Sequence, residues 1–235
     1  MWVFGYGSLM WRPGFDVEER VHARAIGFRR CFCLQSVHHR GNEQRSGLVL
    51  GLDRGGSCEG MAFRVAPENQ SETLRYLRER EQVNGVYREA HIPLSIRHKS
   101  EEGDVWETVS AIAYIAERAH PSYVGVMPLV IQARQICGAR GKSGDNLDYF
   151  LNTLEHLRAL GIREPALERL ATVIGGFACQ SANGDEKLLD QENPARARVR
   201  SLSRAAVNQH PGNKRSLKPD QRRRFGYRKQ VFGGF

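Results

Sequence analysis

No apolar run in this 235-residue chain approaches the length of a membrane span, so a helical membrane protein is not expected. The N-terminus lacks the basic, apolar and small-residue order of a secretory signal, and no leader is expected. Cysteine is scarce: Cys31, Cys33, Cys58, Cys137 and Cys179 make an odd set without a C-x-x-C pair. That speaks against a disulfide framework, and reduced thiols in a cytoplasmic protein are expected. Cys31 and Cys33 alternate as strand neighbours do and are read as packing residues. The common nucleotide and nucleophile signatures are missing too. Gly5-x-Gly7 has Met10 where a dinucleotide fingerprint needs its third glycine, and no Gly-Lys-Ser/Thr follows it. Without a Gly-x-Ser-x-Gly elbow, Ser8 is a poor hydrolase nucleophile. His38-His39 is the one hint of a metal site. Adjacent histidines rarely face one ion and no third ligand is suitably spaced, so no metal is expected.

Apolar residues make up 40% of the chain, low for a fully packed protein, and suggest one domain plus a polar appendage. The charge points the same way. Of the net +9, residues 177–235 hold 13 Lys/Arg against 5 Asp/Glu, a net +8, which leaves the first 176 residues near neutral. The folded part therefore need not bind an acidic partner through bulk charge.

The chain opens on Trp2-Val3-Phe4-Gly5-Tyr6-Gly7-Ser8-Leu9-Met10-Trp11. Three strand formers run into a loop bare enough for backbone N–H groups to approach a ligand. By spacing alone, an ordinary strand-turn and an anion cradle both fit. Residues 21–37 read as a long strand with a bulge or sharp bend at Gly27. Residues 48–52 and 58–65 read as two strands joined by a hairpin turn at Asp53-Arg54-Gly55-Gly56. Asn69 and Glu72 form a capping-box pattern before a helix with Leu74 and Leu77 on its buried face. Strands are expected over 90–97 and 106–115, with a charged loop at 99–104. Beyond that the chain is helical. Pro128 can sit in a first turn ahead of Leu129, Ala133 and Ile136. A Gly-rich basic loop covers 138–145. One amphipathic helix stops at Gly161 and a last one at Gly175-Gly176. From Ala178 the apolar period fades, and a mostly disordered tail is expected. Arg222 to Lys229 mixes cations with aromatics, which suits either a solvated tail or a weak polyanion contact.

Glu81 is the sharpest candidate for chemistry. It lies four residues beyond Leu77, so it shares the helix's apolar face, whereas Glu72 and Glu79 turn to the polar side. An acid so placed must be paired, line a cavity or carry function. Burial would raise its pKa toward that of a proton shuttle. The competing reading is a structural ion pair with Arg78, Arg80 or Arg88. Tyr149, close to the Gly-rich loop, can hydrogen-bond a ligand or serve as a half-buried structural tyrosine.

The segment Val3 to Trp11 resembles the opening signature of the ChaC family, the glutathione-specific γ-glutamylcyclotransferases. The similarity continues through Arg29-Arg30-x-Phe32, His39-Arg40-Gly41 and Gly60-Met61-Ala62-Phe63-Arg64. It then follows Leu77-x-x-Arg80-Glu81 to Tyr87-Arg88, and Ser143-Gly144 to Tyr149, covering residues 1 to about 175. The resemblance implies an α+β fold: a small mixed β-barrel flanked by helices, with a cavity at one end. This domain would span 1–176, and 177–235 would be a basic tail of low order. The implied reaction cleaves glutathione by internal cyclisation, giving 5-oxoproline and Cys-Gly, with no cofactor or metal. The implied catalytic residue is Glu81. The substrate-holding loop would be Val3, Phe4, Gly5, Tyr6, Gly7, Ser8 and Leu9, with Tyr149 as a further substrate contact. Glutathione is the expected small-molecule partner and the chain is expected to be a monomer. A cyclotransferase for other γ-glutamyl compounds, and an idle binding module with a basic tail, are the alternatives.

Overall fold

Trp2, Val3 and Phe4 form the short strand β1 (Trp2–Gly5), in which Val3 and Phe4 are wholly buried. A computed structural model describes residues 1–100 and 103–180; of the low order expected for 177–235, the part from 181 on lies outside the described residues. Two long strands follow, β2 (Glu19–Ser36) and β3 (Gly47–Arg64), then β4 (Tyr87–Ser100) and β5 (Gly103–Ala116). They close a barrel in the order β1-β3-β2-β4-β5. All pairings are antiparallel except the seam, where Trp2 and Val3 lie parallel to Ala111 and Ile112. The expected mixed barrel is therefore present.

Residues 53–56 do not make a hairpin turn. β3 runs through them as one strand, paired with β2 along its whole length. The two strands bend together where Gly27 faces Gly55 and Gly56, all three at positive φ. A glycine there folds a strand around a barrel corner without steric cost, so the same residues that signal a turn here make a bend. The strands β4 and β5 also reach further than expected, into the 99–104 segment.

Helix α1 (Gln70–Glu81) crosses the outside of the barrel and buries Thr73 and Leu77. Its capping box does not form: Asn69 makes no side-chain cap and already has helical dihedrals, because the turn Pro67–Asn69 leads directly into α1. Pro128 caps rather than enters α2 (Leu129–Gly138), which packs with α3 (Asn146–Ala159) and α4 (Pro165–Gln180). The Gly-rich loop contains a tiny ribbon, β6 (Arg140–Gly141) with β7 (Gly144–Asp145). α4 does not stop at Gly175-Gly176 but continues to Gln180. Two helical glycines cost about 1 kcal/mol each. That cost is offset by packing on both sides of the pair: Ile174 is buried, and Phe177 packs on the core with Arg134 over its ring.

One continuous core joins barrel and helices, from Phe4, Phe32 and Phe63 to Phe150, Leu154 and Ile174. Asn146, fully buried, fastens them together: its side-chain amide accepts from Leu48 N–H and donates to Leu48 O, both at 2.7 Å. None of the helices is long and apolar enough to cross a membrane, among the described residues.

Candidate active site

Beyond the C-terminal end of β1, a cavity of about 990 Å³ opens between the barrel, the end of α1 and the start of α3. Ser8, Glu81 and Tyr149 all line it, although they are far apart in sequence. The other residues of the opening loop support it from behind. Val3 and Phe4 are wholly buried in the core, and Leu9 and Met10 nearly so. A Cβ at Gly5 would stand 2.9 Å from the Phe63 ring, so only glycine passes here. The Tyr6 hydroxyl donates to Tyr114 O at 2.8 Å, and the Tyr114 hydroxyl donates to Glu89 at 3.0 Å. Gly7 starts a single 3₁₀ turn, Ser8–Met10, that presents Ser8 to the cavity.

Two arginines hold this loop. Arg30, its side chain fully buried, donates to Tyr6 O at 2.6 Å and Glu59 O at 2.5 Å, and pairs with Glu164. Arg80 reaches across from α1 to donate to Ser8 Oγ at 2.9 Å, Arg12 O at 2.7 Å and Tyr76 Oη at 2.9 Å. Its Nε also lies 3.0 Å from Glu81 Oε1. Arg80 is thus the joint between the loop and the acid.

Glu81 satisfies both readings of its sequence position, since it is paired and it lines the cavity. Its partner is Arg80; Arg78 instead grips Glu89 with two bonds of 2.8 Å, and Arg88 pairs with Glu117. Adjacent helical residues point about 100° apart and do not normally meet. They meet here because Glu81 is the last residue of α1, and the helix unwinds at Gln82. Burial pushes the Glu81 carboxyl above its ordinary range, and Arg80 acts against that rise. Four phenols stand in its field, those of Tyr6, Tyr87, Tyr114 and Tyr149, and burial raises each. Tyr6 and Tyr87 are driven well above the usual tyrosine range by burial, and Tyr149 up to about 12. They remain neutral across the physiological range, and Glu81 is the one carboxyl among the residues lining the cavity.

A further part of the lining is the segment carrying His38, His39 and Arg40. His38 O and His39 O accept from Lys142 N–H and Ser143 N–H, at 2.8 and 3.0 Å. Contact is so close that a Cβ at Gly41 would lie 2.1 Å from Gly47 N, and one at Gly141 2.5 Å from the His39 backbone. His39 Nδ1 sits 3.0 Å from Ser143 Oγ. Trp11 stacks on His156 at 4.3 Å across part of the rim. Among the described residues, no three His, Cys, Asp or Glu side chains converge as metal ligands.

Sequence reasoning singled out Ser8, Glu81 and Tyr149, and left Arg80 as one of three possible partners. It did not assign Arg40, Tyr87 or the Trp11–His156 stack to a site. Arg40, Tyr87 and Trp11 are marked only by membership of the motif segments, and nothing in the spacing of α3 marks His156.

The geometry can be set beside known proteins. A family model described as ChaC-like protein matches residues 1–175. This chain belongs to the ChaC-like family. A protein of Escherichia coli (strain K12) named glutathione-specific gamma-glutamylcyclotransferase is 32% identical over 170 residues, covering 72% of this chain and 71% of that one. The Homo sapiens glutathione-specific gamma-glutamylcyclotransferase 1 is 33% identical, over 74% of this chain and 77% of its own. A yeast crystal structure, of a gamma-glutamyl cyclotransferase specific to glutathione, has a TM-score of 0.66 at 21% identity. It covers 75% of this ChaC-like chain and 98% of the yeast one, and it shows the common fold.

Proposed function

We propose that this ChaC-like protein is a glutathione-specific γ-glutamylcyclotransferase, with Glu81 as its proton shuttle. The observation that carries the reading is a single acid of raised pKa, at the wall of a large cavity, joined through Arg80 to the Ser8 loop. The names of its relatives support glutathione as the substrate.

In the reaction, the α-amine of the γ-glutamyl group attacks its own γ-carbonyl carbon. A five-membered lactam forms and the γ-amide C–N bond breaks, giving 5-oxoproline and Cys-Gly. The α-ammonium loses two protons in all, and the leaving nitrogen ends with two more than it had as an amide. One carboxyl whose pKa lies closer to neutrality than usual can accept and return them in turn. Arg80 keeps that carboxyl in place. The cavity folds the flexible γ-glutamyl chain so that amine meets carbonyl, a proximity effect. Backbone N–H groups between Gly5 and Leu9 serve the substrate's α-carboxylate or its carbonyl oxygen, and Tyr149 forms a further contact. Cytoplasmic location, where glutathione is abundant and thiols stay reduced, fits this substrate and a chain that forms no disulfide among the described residues.

The decisive measurement is product formation. Purified protein with reduced glutathione is expected to release Cys-Gly and 5-oxoproline in equal amounts. Its kcat/KM should exceed that for γ-glutamyl-alanine. Comparable values for the two substrates would move the protein to the broader cyclotransferase class.

The catalytic unit should be complete at the end of α4. A chain ending at Gln180 is expected to keep glutathione turnover and its melting temperature, because α4 itself packs through Ile174 and Phe177. Retention on heparin at low salt should weaken, since the deleted residues carry most of the net charge. Loss of turnover or of the folding transition would show that the tail belongs to the domain. Equal heparin retention would remove the tail as a polyanion contact.

A further inference from the structure

The cavity has one acid and three arginines on its walls: Glu81, with Arg12, Arg40 and Arg80. Arg80 is committed to Glu81 and Ser8. Arg12 is exposed. Arg40 is half-buried, lines the same cavity on a different segment from Glu81, and is in no ion pair among the described residues. Its polar contacts there are carbonyls, Ser143 O at 2.6 Å and Asp145 O at 3.4 Å, and both use Nη1. Its guanidinium stands 5.1 Å from the centre of the Tyr149 ring, and its backbone N–H is fixed to Ser36 Oγ at 3.0 Å. The close glycine contacts beside it leave the backbone little room to move. A fixed cation with unspent donors at a cavity wall is built to receive an anion.

We propose that Arg40 binds the glycyl carboxylate of glutathione and is the residue that selects the tripeptide over shorter γ-glutamyl compounds. The inference rests on the cyclotransferase reading and extends it to the far end of the substrate. Glutathione carries a carboxylate at each end. The γ-glutamyl end, with its α-carboxylate, must lie against Glu81 and the Ser8 loop for the amine to react. The glycyl carboxylate then points away from that wall. Tyr149 lies between, within the field of both Glu81 and Arg40, and its ring forms the floor along which the Cys-Gly portion extends. Arg40 is partly desolvated, with Tyr149, Asp148 and Asp145 in its field, and an incoming carboxylate takes the free Nη2 and Nε donors. γ-Glutamyl-alanine has its only other carboxylate one residue nearer the γ-glutamyl end, too short to reach the same guanidinium.

The test compares reduced glutathione with its C-terminal glycinamide, which has nearly the same size and lacks only the second charge. The wild-type protein is expected to prefer the acid by about ten- to hundredfold in kcat/KM, the worth of one charge-assisted contact. The preference should lie in KM, because the contact is the same in ground and transition state. In Arg40→Gln the acid-to-amide ratio should fall to near one, and Arg40→Lys should restore part of it. A wild-type enzyme that does not distinguish acid from amide overturns the proposal, as does an Arg40→Gln enzyme that keeps the wild-type ratio. Calorimetric binding of both compounds to Glu81→Gln protein reads the subsite without turnover. Preferential binding of the acid there, with no wild-type turnover of glutathione, would uphold the carboxylate site and sink the reaction. Turnover with equal binding would do the reverse.

Discussion

Replacing Glu81 by glutamine is expected to lower glutathione turnover by roughly a hundredfold or more while the protein stays folded. Glutamine preserves the shape and still accepts from Arg80 Nε through its carbonyl oxygen, so α1 and the Ser8 loop should remain joined. What is lost is the group that exchanges protons. The nearby phenols of Tyr6, Tyr87 and Tyr149 cannot replace it, because burial drives all three above the ordinary tyrosine range. Glu79→Gln is the control. That side chain is two-thirds exposed and, among the described residues, pairs weakly with Arg75, so turnover should stay close to wild type. The pH profile supplies a second readout. The base must start as a carboxylate, and burial raises its pKa. Wild-type kcat/KM should therefore fall on acidification at a pH above the ordinary glutamate value of about 4.3. Arg80 opposes that rise, so Arg80→Gln should move the acid limb to still higher pH. A Glu81→Gln enzyme retaining more than about a tenth of the activity would remove Glu81 from the shuttle role.

The second large effect is expected on stability. Arg30→Ala should destabilise the fold by about 3 kcal/mol or more, the usual range for breaking a buried pair. The Arg30 side chain has no exposure, and its partner Glu164 is 17% exposed. Truncation leaves that carboxylate in a poorly hydrated site, and it strips a charged donor from Tyr6 O and from Glu59 O. Arg30→Lys keeps the charge but cannot serve three separate acceptors with a planar fork, so an intermediate loss is expected. Urea unfolding followed by circular dichroism measures both. Because Arg30 hangs the Tyr6 carbonyl directly behind Gly7 and Ser8, the surviving Arg30→Lys protein should also show a raised KM. A change below about 1 kcal/mol in Arg30→Ala would mean that the pair merely breaks even against its desolvation.

Elements whose signal is periodic can be read directly from the residues. The apolar faces of α2 and α3 were legible, and so was Glu81 on the buried side of α1, since period fixes which residues share a face. The bend at Gly27 was legible as well, because a glycine amid strand formers has few other uses. Resemblance supplied the barrel and the family, which the fold and the match over residues 1–175 bear out. Local signals misled where distant partners set the outcome. Asp53 to Gly56 has the composition of a turn, yet β2 is paired on both sides of it and holds β3 as one bent strand. Gly175-Gly176 has the composition of a stop, yet Ile174 and Phe177 find the core and carry α4 through it. The site belongs to the same class. That Arg80, rather than Arg78 or Arg88, takes Glu81 was decided by Glu89 and Glu117, which occupy the other two. That Arg40 faces the same cavity was decided by contact between the 38–41 segment and Ser143, some hundred residues along the chain. Ion pairs and cavity walls depend on which surfaces the closed barrel brings together, and no local period encodes that.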